Sequence, residues 1–108
     1  MRAFVRIQIV RYTDDHQPGF VECQLTDADG LVWSFVEKVP VVSAEYLDAN
    51  SRYPRGGSVG CAVLGRDGDL VRIGVDPLSD YFECRVPEAA LMDRDAGAEA
   101  GDASDRST

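Results

Sequence analysis

Positive charge is scarce in this 108-residue chain, where 11 Lys and Arg stand against 19 Asp and Glu for a net charge of −8. Phosphate contacts need a positive surface, so no nucleic-acid partner is expected. A basic protein partner fits the same balance, and an acidic surface also simply confers solubility. Long apolar runs are missing too. Charged residues interrupt each within a few positions, leaving nothing to span a membrane. The first residues, Met1-Arg2-Ala3-Phe4-Val5-Arg6, alternate like a strand where a signal peptide would carry an apolar core. A cytoplasmic location is the expectation that follows.

Cysteine and histidine are few. Cys23, Cys61 and Cys84 are odd in number, form no Cys-x-x-Cys pair and follow no secretion signal, which argues against a disulfide framework. Each sits on the inward parity of an alternating strand: Val21/Cys23/Leu25, Val59/Cys61/Val63 and Phe82/Cys84/Val86. A free thiol there behaves as a small buried hydrophobe. The competing reading is a metal- or thiol-dependent protein whose three cysteines are completed by His16, the one histidine. Zinc sites usually come from paired knuckles, so neither metal nor cofactor is expected.

The signatures of catalysis are also lacking. No Gly-x-Ser-x-Gly elbow exists, and His16 stands alone beside Asp14 and Asp15. Asp14-Asp15 and Asp27-x-Asp29 lack the other ligands of a calcium loop and read as turn formers. Arg55-Gly56-Gly57-Ser58 lacks the Gly-Lys-Ser/Thr and following helix of a phosphate-binding loop. The chain is not expected to be an enzyme.

What the sequence does contain is two hairpin cassettes, Val21–Trp33 and Val59–Val71, with matched positions such as Cys23 and Cys61 38 residues apart. Each is an alternating strand, an Asp-Gly turn and a second apolar strand. A two-residue Asp-Gly loop would set Leu25 against Ser34. A three-residue loop with a bulge pairs Leu25 with Trp33 and Cys23 with Phe35, making one face apolar. The same loop in the second cassette predicts Val63 opposite Val71, Cys61 opposite Ile73 and Val59 opposite Val75. Gly30 and Gly68 are then the residues with positive φ.

Around these cassettes, the first strand is expected over Ala3–Tyr12, with Val5, Ile7 and Ile9 inward. Pro40 ends the third strand. One helical signal follows, Ser43–Ala49, with Ser43 as cap and Val42 poised to staple onto Leu47. Residues 50–57 form an irregular crossing loop, Tyr81–Val86 is the sixth strand, and Pro87–Met92 is a terminal helical turn. Residues 1–92 thus make one small β domain. The acidic tail from Asp93 to Thr108 has no aromatic or β-branched apolar residue and is expected to be disordered. The fold class predicted is all-β: a six-stranded antiparallel barrel, SH3-like or OB-like, built from two three-stranded meanders with one short helical turn.

The run Val21-Glu22-Cys23-x-Leu25-x-Asp27, with Gly30, Trp33, Phe35 and Glu37-Lys38-x-Pro40 after it, resembles a family of short bacterial β proteins. The likeness covers residues 20 to about 61, including Tyr53-Pro54 and Gly60-Cys61. It implies membership alone, because no activity is attached to that family and no site residue carries over.

The remaining candidate is a surface. Tyr46, Arg52, Tyr53 and Arg55 lie on the segment joining the two meanders, and Tyr and Arg are the side chains that most often anchor interfaces. The bland reading is that Tyr46 and Tyr53 plug one end of the barrel. The expectation is a non-catalytic protein-binding module. A more specific alternative is an immunity-type or inhibitory protein whose acidic surface blocks a basic toxin or nuclease.

Overall fold

The computed structural model describes residues 2–92. Seven strands form in the order β1 (Arg2–Asp14), β2 (Phe20–Thr26), β3 (Val32–Lys38), β4 (Arg55–Asp67), β5 (Leu70–Val75), β6 (Phe82–Pro87) and the two-residue β7 (Leu91–Met92). One helical turn, α1 (Val39–Val42), follows β3, and a 3-10 turn at Glu88–Ala90 precedes β7. The sheet runs β3-β2-β1-β4-β5-β6 with every pairing antiparallel, so each half is a meander and the halves join along β1 and β4. Six strands curl into a half-barrel, the all-β architecture expected. The acidic tail over 93–108 lies outside the described residues.

Alternation dictates the inner face. Val5, Ile7 and Ile9 are buried while Arg6 and Gln8 face solvent, and the same parity buries Val21, Cys23 and Leu25 on β2. Val71, Ile73 and Val75 of β5 have no exposed surface at all. Two register shifts on β1, at Val10 and Thr13, break its alternation. The first puts Tyr12 opposite Val21, so a residue three positions after Ile9 still packs against the core.

The first hairpin has the expected register, with Cys23 opposite Phe35 and Leu25 opposite Trp33. Its turn is closed by Asp27 N–H to the Leu31 carbonyl at 2.9 Å, and Gly30 has φ +85°. Inside that turn, Asp27 is only 8% exposed. It accepts hydrogen bonds from Asp29 N–H (2.8 Å), Leu31 N–H (3.0 Å) and the Trp33 indole (2.9 Å). A buried carboxylate with three donors is fully accounted for as architecture.

The second hairpin differs from expectation. Asp67 pairs with Leu70, leaving the two-residue loop Gly68-Asp69, and a register shift at Leu64 follows. Val63 therefore faces Ile73 in place of Val71. A slide of two residues preserves which side chains point inward, because side chains repeat every second residue. The apolar pattern is satisfied by either pairing, and only the loop distinguishes them. Gly68 has φ +64°, as the turn requires.

The helical turn is also displaced. It occupies Val39–Val42, with Pro40 in its first positions where a missing N–H costs nothing, and Ser43–Ala49 is not helical. Ser43 Oγ does accept the Glu45 N–H at 3.0 Å, as a cap would, but the chain turns away and carries Leu47 into the core at 2% exposure. The terminal turn at Pro87–Met92 resolves into the 3-10 turn and β7, which returns to pair Val5 with Leu91.

β3 and β6, the two ends of the sheet, approach each other without sharing a ladder among the described residues. Side chains bridge the seam. Trp33 and Phe82 stack, Val36 N–H donates to Ser79 Oγ at 3.1 Å, and the buried Glu37 accepts the Leu78 N–H at 3.0 Å. One main-chain bond, Ala28 N–H to the Arg85 carbonyl at 2.8 Å, closes one end.

Candidate binding site

The segment from Ser43 to Pro54 crosses from one meander to the other with no regular structure beyond a turn at Ala49-Asn50. It is pinned by its own polar groups. Asp48 Oδ1 accepts the Asn50 N–H at 2.9 Å, and Asp48 N–H donates to Ser51 Oγ at 3.0 Å. Tyr53 packs against the core, and its hydroxyl donates to the Asp48 carbonyl at 2.8 Å. Arg55 forms an ion pair with Glu45 across the segment. Together with buried Leu47, these contacts hold an irregular stretch in one shape.

The four residues singled out by sequence divide into two pairs. Tyr53 and Arg55 are supports, the first half-buried and the second held by Glu45. Tyr46 and Arg52 point outward. Tyr46 is 81% exposed, so it plugs nothing, and Arg52 is exposed without a side-chain partner among the described residues.

Beside Tyr46 lies an open cleft of about 200 Å³ between this segment and the β1–β2 turn, lined by Tyr12, Asp15, Gln17, Tyr46, Asp48 and Asn50 among others. Tyr12, Asp15 and Asp48 were not visible as site residues in the sequence. Asp15 and Asp48 are 33 positions apart in sequence and line the same cleft, beside which Val39 N–H bonds the Gly19 carbonyl at 3.0 Å and extends the β2–β3 pairing. Burial, with Asp15, Tyr46 and Asp48 nearby, pushes the Tyr12 phenol above its ordinary value.

The donor groups for a metal are arranged differently. Asp14, Asp15 and His16 place ligand atoms within 4.8 Å of one another, and all three are exposed. His16 Nδ1 lies 2.6 Å from Asp14 Oδ1, which also accepts the His16 N–H at 2.9 Å. That hydrogen bond raises the imidazole pKa. No cysteine joins this group among the described residues, because Cys23, Cys61 and Cys84 are all buried in the half-barrel. Burial first, then the charges of Glu37 and Glu22, pushes the Cys23 thiol up to about 12, and burial pushes Cys84 to about 11. Burial raises Cys61 as well. A thiol must lose its proton to bind metal or attack, so these three are set up as core side chains.

Among the described residues, no helix is long and apolar enough to cross a membrane. Compared with known proteins, the chain matches no protein-family model, no curated protein and no solved structure.

Proposed function

We propose that this chain is a non-catalytic, cytoplasmic protein-binding module that docks its partner through the surface around Tyr46 and Arg52. One observation carries the reading: Tyr46 is 81% exposed on a segment whose neighbouring large side chains, Leu47, Tyr53 and Arg55, are anchored. Leu47 is buried, Tyr53 is bonded to Asp48 and Arg55 is paired with Glu45. A ring displayed on a fixed loop loses little conformational freedom on binding, which is how interface anchors gain affinity. The test is capture of partners by the immobilised full chain, followed by affinity measurement with the purified partner. Tyr46→Ala and Arg52→Ala are each expected to weaken binding by about tenfold or more. Wild-type affinity in both variants overturns the reading.

A second reading, an immunity-type inhibitor of a basic toxin or nuclease, is favoured by the two carboxylates that share the cleft with Tyr46 and by the net charge of −8. It requires an affinity that falls steeply with added salt, as exposed charges become screened. Salt-independent binding removes it and leaves the first reading standing.

A further inference from the structure

Resting on that binding-module reading, we propose that the cleft between the β1–β2 turn and the crossing segment takes the guanidinium of an arginine side chain presented by a basic protein partner. Its walls combine the two things such a group needs. Tyr12 and Tyr46 offer aromatic rings, and Asp15 and Asp48 offer carboxylates, with no Lys or Arg in the lining. Neither Asp15 nor the second oxygen of Asp48 has a side-chain or main-chain donor among the described residues. His16, the nearest residue able to be positive along the β1–β2 turn, is occupied by Asp14.

Size and openness select the source. About 200 Å³ is ample for a guanidinium, but the cleft is open to solvent, so a small free cation would leave much of its surface in water. Affinity must then come from surface around the cleft, which a protein covers and a free metabolite does not. A planar cation can stack on a phenol ring while its N–H groups bond to carboxylates. An ammonium presents no such face, so arginine is preferred over lysine. The unused polar lining, Gln17 and Asn50, supplies neutral hydrogen-bonding groups at the rim.

The test is a titration of the ¹⁵N-labelled full chain with Nα-acetylarginine amide, in which the guanidinium is the only cation, and in parallel with Nα-acetyllysine amide. Saturable shifts are expected at Gly19, Asp48 and Asn50, with about threefold tighter binding for the arginine probe. Tyr46→Ala and Asp15→Asn should each weaken it by about threefold, and Tyr46→Phe should retain it. Shifts scattered over distant acidic residues such as Glu83 and Glu88, or an unchanged response in Tyr46→Ala, overturn the proposal. The two readings fail separately. Partner binding lost in Tyr46→Ala with no response to the arginine probe refutes the guanidinium site alone. A normal probe response, with partner affinity unchanged in Tyr46→Ala and Arg52→Ala, refutes the docking surface and leaves the cleft chemistry intact.

Discussion

Trp33 and Phe82 stack with ring centroids 5.0 Å apart and planes 6° from parallel, joining β3 to β6 across the open side of the half-barrel. Phe35 adds a tilted contact to the same Phe82 ring at 5.7 Å. With no ladder along this seam among the described residues, aromatic contact takes on work that main-chain hydrogen bonds do elsewhere in the sheet. A double-mutant cycle of Trp33→Leu and Phe82→Leu, read by urea denaturation, should give a coupling of about 0.5–1.5 kcal/mol. Strict additivity would show that the rings contribute only through the area they bury.

Asp27 makes stability depend on acid. Burial raises its carboxyl pKa, but the hydrogen bonds from Trp33, Leu31 and Asp29 outweigh that and hold it below the ordinary 3.8. A depressed native pKa contributes stability that is present above the unfolded value and lost as pH falls through the native one. Asp27→Asn should cost about 1–3 kcal/mol at pH 7, because one donor loses its acceptor. It should also lose less stability than wild type between pH 5 and about pH 2. Parallel acid limbs in the two denaturation profiles would show that this carboxylate does not govern the transition.

The buried thiols should be silent. With the Cys23 pKa near 12, thiolate at pH 8 is about one part in ten thousand, and the core further blocks access. Labelling of Cys23, Cys61 and Cys84 with a chromogenic disulfide reagent should be slow in the native protein and fast in denaturant. Rapid native labelling of any one would assign it a chemical role beyond packing.

Tyr46 and Tyr53 should separate cleanly in stability. Tyr46→Ala should change unfolding free energy by no more than about 0.5 kcal/mol, as an exposed side chain would. Tyr53→Phe removes the hydroxyl with its bond to the Asp48 carbonyl and should cost about 1 kcal/mol, with Tyr53→Ala costing more through lost packing. Equal costs for the two alanine variants would mean that Tyr46 is a packing residue after all.

The inward face was legible in the sequence because alternation states it directly: Val5, Ile7, Ile9, Cys23 and Ile73 all lie where parity puts them. The first hairpin was legible in register as well, since its Asp27-to-Gly30 turn admits one apolar pairing. The second was not, because sliding by two residues changes partners without changing faces. The shift at Val10 carries no glycine or proline to announce it. At the candidate site, Tyr46 and Arg52 were readable as residues for a surface, and both are exposed. Tyr12, Asp15 and Asp48 were not readable, for they come from segments far apart in sequence that meet only in the fold, with no local pattern to encode it.

The sharing of β1 among three partners has a consequence for the order in which the chain can assemble. Gln8 and Ile9 pair on both flanks, with β2 on one side and β4 on the other, and Val5 pairs with both Val59 and Leu91. During synthesis β2 and β3 reach β1 soon after it emerges, but 41 positions separate Asp14 from Arg55, where the second flank begins. The second contact of Val5 waits for residue 91, 86 positions later. Throughout that interval the nascent first meander presents an unpaired, apolar-rich edge, the kind of surface that joins neighbouring chains. The unpaired flank of β1 thus adds, during synthesis, a third exposed edge to the β3 and β6 edges that the finished half-barrel keeps.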